Sequence, residues 1–463
     1  MSTLARTTDR TGLRGWQDVA LVHAARQTGA RRTGRGVAAV GLGMVLVVPL
    51  GLSDGGYFGR STTSLTVALA AAATLALVRP FEASRSPAFL STALALGLLA
   101  AWVSLSSLWA ADHAAVEIEA RRCLLYGVAL VAVGVIVDAW RRRGFLLALT
   151  AGIALVAALG IVIRAISGVP VDPYYGSLLA EPVGYPNAMG VLAAMGVVLS
   201  IGLGSRAGAG AARVLRGAAP LLVLVLGLTG SRGGALALGV GLVVLVSMTD
   251  RSARLPSVGM AASALALGGG AWVLTMAAGG AGLPLVIIAA GAATIGAAIP
   301  TPGRRVACAL VCGVTLAGGV AVWAQPPSTT TSLRSAYWEA AFAELRERPL
   351  LGSGAGSYHL SWREHRPVEA EVRDAHSLYV ETLSELGPVG LALVLVVVVV
   401  PLGVAVRRRG DPLAATAAAG FAVFAVHAGL DWDWEMPVVT LVALGCAAVL
   451  LTSAPSEARN EPS

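Results

Sequence analysis

Apolar positions along this chain arrive in long unbroken runs, with polar residues gathered between them, in place of the short periodic stretches that build a water-soluble core. Runs such as 36–52, 145–166 and 389–406 approach the ~20 residues that a helix needs to cross a ~30 Å hydrocarbon layer. Lipid offers the backbone no hydrogen-bond partner, so each run is predicted to be helical. Spans are expected at 36–52, 62–78, 88–109, 123–138, 145–166, 187–204, 218–230, 234–249, 258–277, 283–300, 306–323, 388–406, 412–430 and 436–452. The predicted fold is therefore an all-α integral membrane protein of about 12–14 transmembrane helices, with one long extracytoplasmic loop containing short helices.

Composition agrees with that pattern: of 463 residues 56% are hydrophobic and 13% charged. The formal charge of +8 is carried without lysine, so every cationic side chain outside the histidines is an arginine. With the N-terminus inside, the clusters at Arg79 and Arg85, Arg141 to Arg143, Arg206 to Arg216, Arg251 and Arg254, Arg304 and Arg305, and Arg407 to Arg409 all fall in cytoplasmic connections, as the positive-inside rule requires. This placement points to topology and not to nucleic acid. The expected organisation is a basic cytoplasmic segment at 1–35, helices over 36–324, an extracytoplasmic loop at 325–387, three further helices over 388–452 and a cytoplasmic tail at 453–463. The spacing of basic residues in 1–35 is unlike a compact signal peptide, so the first span is read as an uncleaved anchor. Cys123, Cys308, Cys312 and Cys446 form no CxxC pair; neither a disulfide nor a metal site nor a cofactor is expected.

The polar residues at the outer ends of the spans are the candidates for chemistry. Arg232 stands between glycines in a turn with almost no loop, where a charge at membrane depth calls for a function. Its neighbours let a phosphate approach, and a guanidinium fork suits two phosphate oxygens. Residues 332–349 read as one helix with a terminating proline, in which Arg334, Trp338, Ala341 and Leu345 share a face. The glycine-rich turn Gly352 to Gly356 lacks the preceding strand of a phosphate loop and is expected to serve close backbone packing. His376 is placed in the first turn of a helix entering the next span, on the same side as both arginines, and imidazole is the usual acceptor of a hydroxyl proton near neutral pH. Arg164, Gly184 to Asn187, and the turn from His427 through Asp431 to Glu435 lie on that side too. Membrane-interface belts account for the indoles of the last turn but not for its three acids.

Taken in order, Gly184 to Asn187, Ser231 to Gly233, Arg334 with Trp338, Arg348 to Gly352, and His376 to Gly387 resemble the O-antigen ligase and O-antigen polymerase family of polytopic membrane glycosyltransferases, and the segment from His427 to Pro437 is similar to actinobacterial-type members. The resemblance implies a metal-independent enzyme of cell-envelope polysaccharide biosynthesis, in the cytoplasmic membrane, that moves a glycan from undecaprenyl pyrophosphate onto an acceptor glycan, lipid or protein on the extracytoplasmic side. It assigns Arg232 and Arg334 to the carrier pyrophosphate and His376 to the acceptor hydroxyl, with Arg164, Asn187, Ser231, Trp338 and Tyr379 as substrate-binding residues. The competing class is a transporter or lipid-linked glycan flippase, which would show related halves with helices broken at midplane; no such internal symmetry is visible.

Overall fold

The computed structural model describes residues 38–58, 60–77, 86–137, 141–169, 175–300 and 329–452. Its helices are α1 (Ala38–Gly51), α2 (Arg60–Leu77), α3 (Pro87–Leu105), α4 (His113–Ile136), α5 (Arg142–Ser167), α6 (Pro186–Gly204), α7 (Ala209–Thr229), α8 (Arg232–Met248), α9 (Arg251–Ala277), α10 (Gly282–Ala298), α11 (Thr329–Glu347), α12 (Tyr358–His365), α13 (Leu378–Arg407), α14 (Pro412–His427) and α15 (Pro437–Leu451). Strands are absent among the described residues, and six helices are long and apolar enough to cross a membrane, with shorter apolar ones beside them. The protein is an all-α polytopic membrane protein. The expected span 306–323, with Cys308 and Cys312, lies outside the described residues; Cys123 and Cys446 are buried free thiols.

Several helices begin earlier than their apolar runs. α4 starts at His113 instead of 123 because Asp112 caps it, accepting from the Ala115 N–H at 3.0 Å. α9 starts at Arg251 instead of 258, capped by Asp250 at 2.9 and 3.1 Å from the N–H groups of Ser252 and Ala253. In both, a carboxylate meets orphan donors at the positive end of the helix. α7 likewise starts at Ala209 instead of 218. α13 takes in ten residues ahead of the expected span, kinked at Gly387 (φ 64°, ψ −169°). A Cβ at Gly387 would lie 2.2 Å from the Leu350 carbonyl oxygen, so only glycine allows both this backbone and this approach.

α6 and α15 form the centre, buried along all or nearly all of their length, with α14 almost as enclosed; α3 and α13 turn many apolar side chains outward, as rim helices in lipid do. Alternate helices run in opposite directions, giving the bundle two faces. One carries the described arginine clusters: Arg142 pairs with Asp411 at 3.2 Å, Arg206 with Asp250, Arg408 donates to the Thr452 carbonyl at 2.7 Å, and the Gly410 N–H reaches the Met248 carbonyl at 3.1 Å. The other face holds the turns after α1, α3, α5, α7, α9 and α14 together with α11, α12 and the start of α13.

Candidate functional site

α11 lies over this second face, packed by Tyr337, Ala340 and Ala341 against Tyr358 and Trp362 of α12. The glycine-rich turn between them is a clamp on α13. The N–H groups of Gly356 and Tyr358 each donate to the Glu385 carboxylate at 2.8 Å, and a Cβ at Gly352 would lie 2.3 Å from the Glu385 backbone. The turn thus serves close packing, and its N–H donors are spent on Arg348, Ser384, Glu385 and Ser106.

His376 sits before the helix, not in its first turn: Ser377 is the N-cap of α13, and His376 has a left-handed φ of 54°. Such a backbone is uncommon for a residue with a side chain, and strain of this kind collects at functional positions. It is held by the Ala375 N–H donating to Glu381 Oε2 at 2.6 Å and by the Leu378 N–H donating to the Ala428 carbonyl at 2.7 Å. The imidazole stacks on Tyr337, centroids 4.9 Å apart at 26°. Its Nδ1 is 3.0 Å from the Asp374 carbonyl, and because a carbonyl only accepts, Nδ1 must carry the proton. Whenever the ring is neutral, its lone pair is then on Nε2.

Tyr337 links this histidine to Arg334, one helical turn away on the same face of α11. Arg334 pairs with Asp431 at 3.4 Å. Asp431, fully buried, also accepts from the Tyr185 hydroxyl at 2.9 Å and from the Asn187 amide at 2.6 Å. Two N–H donors on α11 stay unmet among the described residues: Arg334 Nε and, one turn on, Trp338 Nε1 are buried without a hydrogen-bond partner there. Buried donors are almost always satisfied, so two on one helix face mark a place for an acceptor-rich ligand.

Arg232 is the first residue of α8, where a cation stands at the positive end of a helix dipole. Its turn is drawn against α6, since a Cβ at Gly190 would lie 2.7 Å from Ser231 Cβ. Behind it, a Cβ at Gly233 would lie 3.1 Å from His427 Nε2, while His427 Nδ1 is 2.7 Å from Asp433 with both side chains buried. Asp433 is pushed above the usual carboxylate range by burial, an effect that His427 opposes. Nearby, carboxylate oxygens of Asp374, Glu381 and Glu435 lie within 4.8 Å of one another. Burial lifts Asp374 to about 6 and holds Glu435 well above its ordinary value, and the adjacent Arg122 offsets charge on both.

The structure therefore gathers His376, Arg334, Asn187 and Trp338 about α11 and brings the Arg232 turn beside them through the 427–433 segment. Tyr379 packs its ring against Gly429 and donates to the Ala425 carbonyl at 2.7 Å. The Ser231 hydroxyl caps α8, accepting from the Gly234 N–H at 3.0 Å. Arg164 stands apart, donating to the carbonyls of Gly280 at 2.7 Å and Ser177 at 2.8 Å, where it ties two loops of this face together. Sequence reasoning missed Asp431, Tyr185 and the His427–Asp433 pair as site residues, although three acids in a tryptophan-rich turn were a visible signal.

Residues 217–395 match the family model for O-antigen ligase, which makes this part of the chain similar to that family. The matched stretch takes in Arg232, Arg334, Trp338, His376 and Tyr379, and ends within α13. No curated protein matches the chain.

Proposed function

We propose that the protein is a membrane glycosyltransferase that moves a glycan from undecaprenyl pyrophosphate onto an acceptor hydroxyl, as a ligase onto a different molecule or as a polymerase onto a growing chain. The acceptor oxygen attacks the anomeric carbon, the bond from that carbon to the pyrophosphate oxygen breaks, and undecaprenyl pyrophosphate leaves with the bonding electron pair. The hydroxyl proton passes to His376 Nε2. Arg334 and Arg232 hold the pyrophosphate and stabilise the charge it gains, the term that preorganised donors supply best in a site shielded from water. Asn187 and Asp431 set the direction of Arg334. The arginine-rich face is cytoplasmic by the positive-inside rule, which puts the loop 325–387 and this chemistry outside the cytoplasmic membrane.

The observation that carries this reading is the pair of buried, unmet N–H donors of Arg334 and Trp338 near a histidine whose Nδ1 faces a backbone carbonyl, which leaves Nε2 as the proton acceptor. The test is release of undecaprenyl pyrophosphate from a lipid-linked glycan by the purified full-length protein in liposomes with added acceptor. Wild type releases the carrier only when acceptor is present, and His376→Ala does not. Equal release by His376→Ala overturns the assignment.

A further inference from the structure

Beside the strained segment that carries His376 lies a cavity of about 130 Å3 lined by Tyr57, Phe58, Arg122, Arg373, Asp374 and Glu435 among others. That is smaller than the ~300–1,000 Å3 of pockets for drug-sized ligands and suits a single ring. Asp374 belongs to both places, with its side chain at the cavity and its carbonyl on His376 Nδ1.

Two features define what the cavity takes. The first is a row of rings: Phe58 and Tyr57 are 5.2 Å apart, Tyr57 and Trp432 5.4 Å, Trp432 and Tyr185 4.3 Å, and the Tyr185 hydroxyl ends the row on Asp431. Phe58 is 65% exposed, so the row opens to the outside. The second is polar groups of both signs. Arg122 and Arg373 stand beside Asp374 and Glu435, an arrangement poorly matched to a bare cation or anion and well matched to a neutral polyol, whose hydroxyls donate to carboxylates and accept from guanidiniums. Sugar rings combine those hydroxyls with C–H faces that pack on the negative faces of aromatic rings.

We infer that this cavity is a saccharide subsite, holding the terminal sugar ring of the acceptor on Tyr57 and Phe58 so that its hydroxyl reaches His376. Arg373 also lines a neighbouring, more open cavity of about 310 Å3 with Asp112, His359 and Arg363, which continues the track for the following sugar. The acceptor role rests on the transferase reading above; the sugar-binding role does not.

The experiment is saturation-transfer difference NMR on the purified full-length protein in detergent, with methyl α-D-glucopyranoside, methyl α-D-galactopyranoside and methyl α-D-mannopyranoside as probes. Wild type and Tyr57→Phe saturate at least one of them; Tyr57→Ala, Asp374→Asn and the exposed-site variant Phe58→Ala lower that signal about fivefold or more, and Arg206→Gln on the opposite face leaves it unchanged. Phe58→Ala covers the case in which a buried-site variant fails to fold. Absence of a signal from wild type with all three sugars, or an undiminished signal in both Phe58→Ala and folded Tyr57→Ala, overturns the subsite. Intact sugar binding without carrier release overturns the transferase reading alone, whereas intact release without sugar binding overturns this inference alone.

Discussion

The two faces of the bundle use arginine in opposite ways. On the arginine-rich face most of the described arginines are partly exposed and end on helix termini: Arg206 on Asp250 with about a third of each side chain accessible, Arg408 on the Thr452 carbonyl, Arg216 on the Ala297 carbonyl with its Nε unmet, while Arg142 is buried beside Asp411. Such contacts favour the negative ends of helices and fix topology at little cost. On the other face Arg334 meets a fully buried Asp431 and keeps a buried donor unmet, and Arg122 lies buried between Glu119 and Glu435. Burying charges costs several kcal/mol per ion unless geometry repays it. Buried charge is not confined to this face, since Arg142 is buried beside Asp411 on the other, but among the described residues buried carboxylates such as Asp431, Asp433, Glu381 and Glu435 are, and that concentration costs stability where chemistry is to be done.

The sharpest break of this comparison is Arg334→Ala, expected to lower carrier release by about 10²–10³-fold, as loss of one preorganised donor does; Arg334→Lys should not restore it, because an ammonium lacks the planar fork. His376→Gly should lose a comparable factor of about 10² while thermal unfolding in detergent shows no destabilisation, since glycine adopts φ 54° without strain. A fall in stability there would mean that the left-handed turn is held by the imidazole.

Asp431→Ala should cost about 3–5 kcal/mol by leaving Arg334, Tyr185 and Asn187 without their acceptor, whereas Arg206→Gln on the opposite face should cost less than about 1 kcal/mol; chemical denaturation of the two variants side by side checks the contrast.

The smallest expected effect is in pH. Asp374 rises from an ordinary 3.8 to about 6 in the folded protein, so the folded state holds its proton more tightly than the unfolded chain. The stabilisation is complete below the unfolded value and is lost as pH climbs through about 6. Asp374→Asn should therefore unfold at a higher temperature than wild type above pH 6, by about 1–2 kcal/mol after discounting for partial exposure, and the two should converge near pH 4.

The helices were legible because lipid demands long apolar runs, and so was the gathering of the described arginine clusters on one face of the bundle. Helix starts were not. The opening turns of α4 and α9 carry the charges Glu117 to Arg122 and Arg251 to Arg254 and are set by the caps Asp112 and Asp250, whereas the predicted boundaries follow apolar content alone. Arg334, Trp338 and His376 were found as residue types in a recognisable order, and His376 was misplaced within its helix because a left-handed turn before an N-cap leaves no mark in periodicity. Asp431 was visible as an unexplained acid, yet its partners Arg334 and Asn187 lie 97 and 244 residues away in sequence, a convergence that only the packed bundle reveals. Ser231 and Arg164 show the reverse: residue types suited to a ligand, each with hydrogen bonds committed to the backbone.

The most direct test of the central claim is the pool of lipid-linked glycan in a deletion strain complemented at matched expression with wild type, Arg232→Ala, Arg334→Ala or His376→Ala. The account predicts that the deletion accumulates undecaprenyl-pyrophosphate-linked glycan, that wild type clears it, and that none of the three variants does. Clearance by all three variants would contradict it and return the protein to a transporter or a structural role.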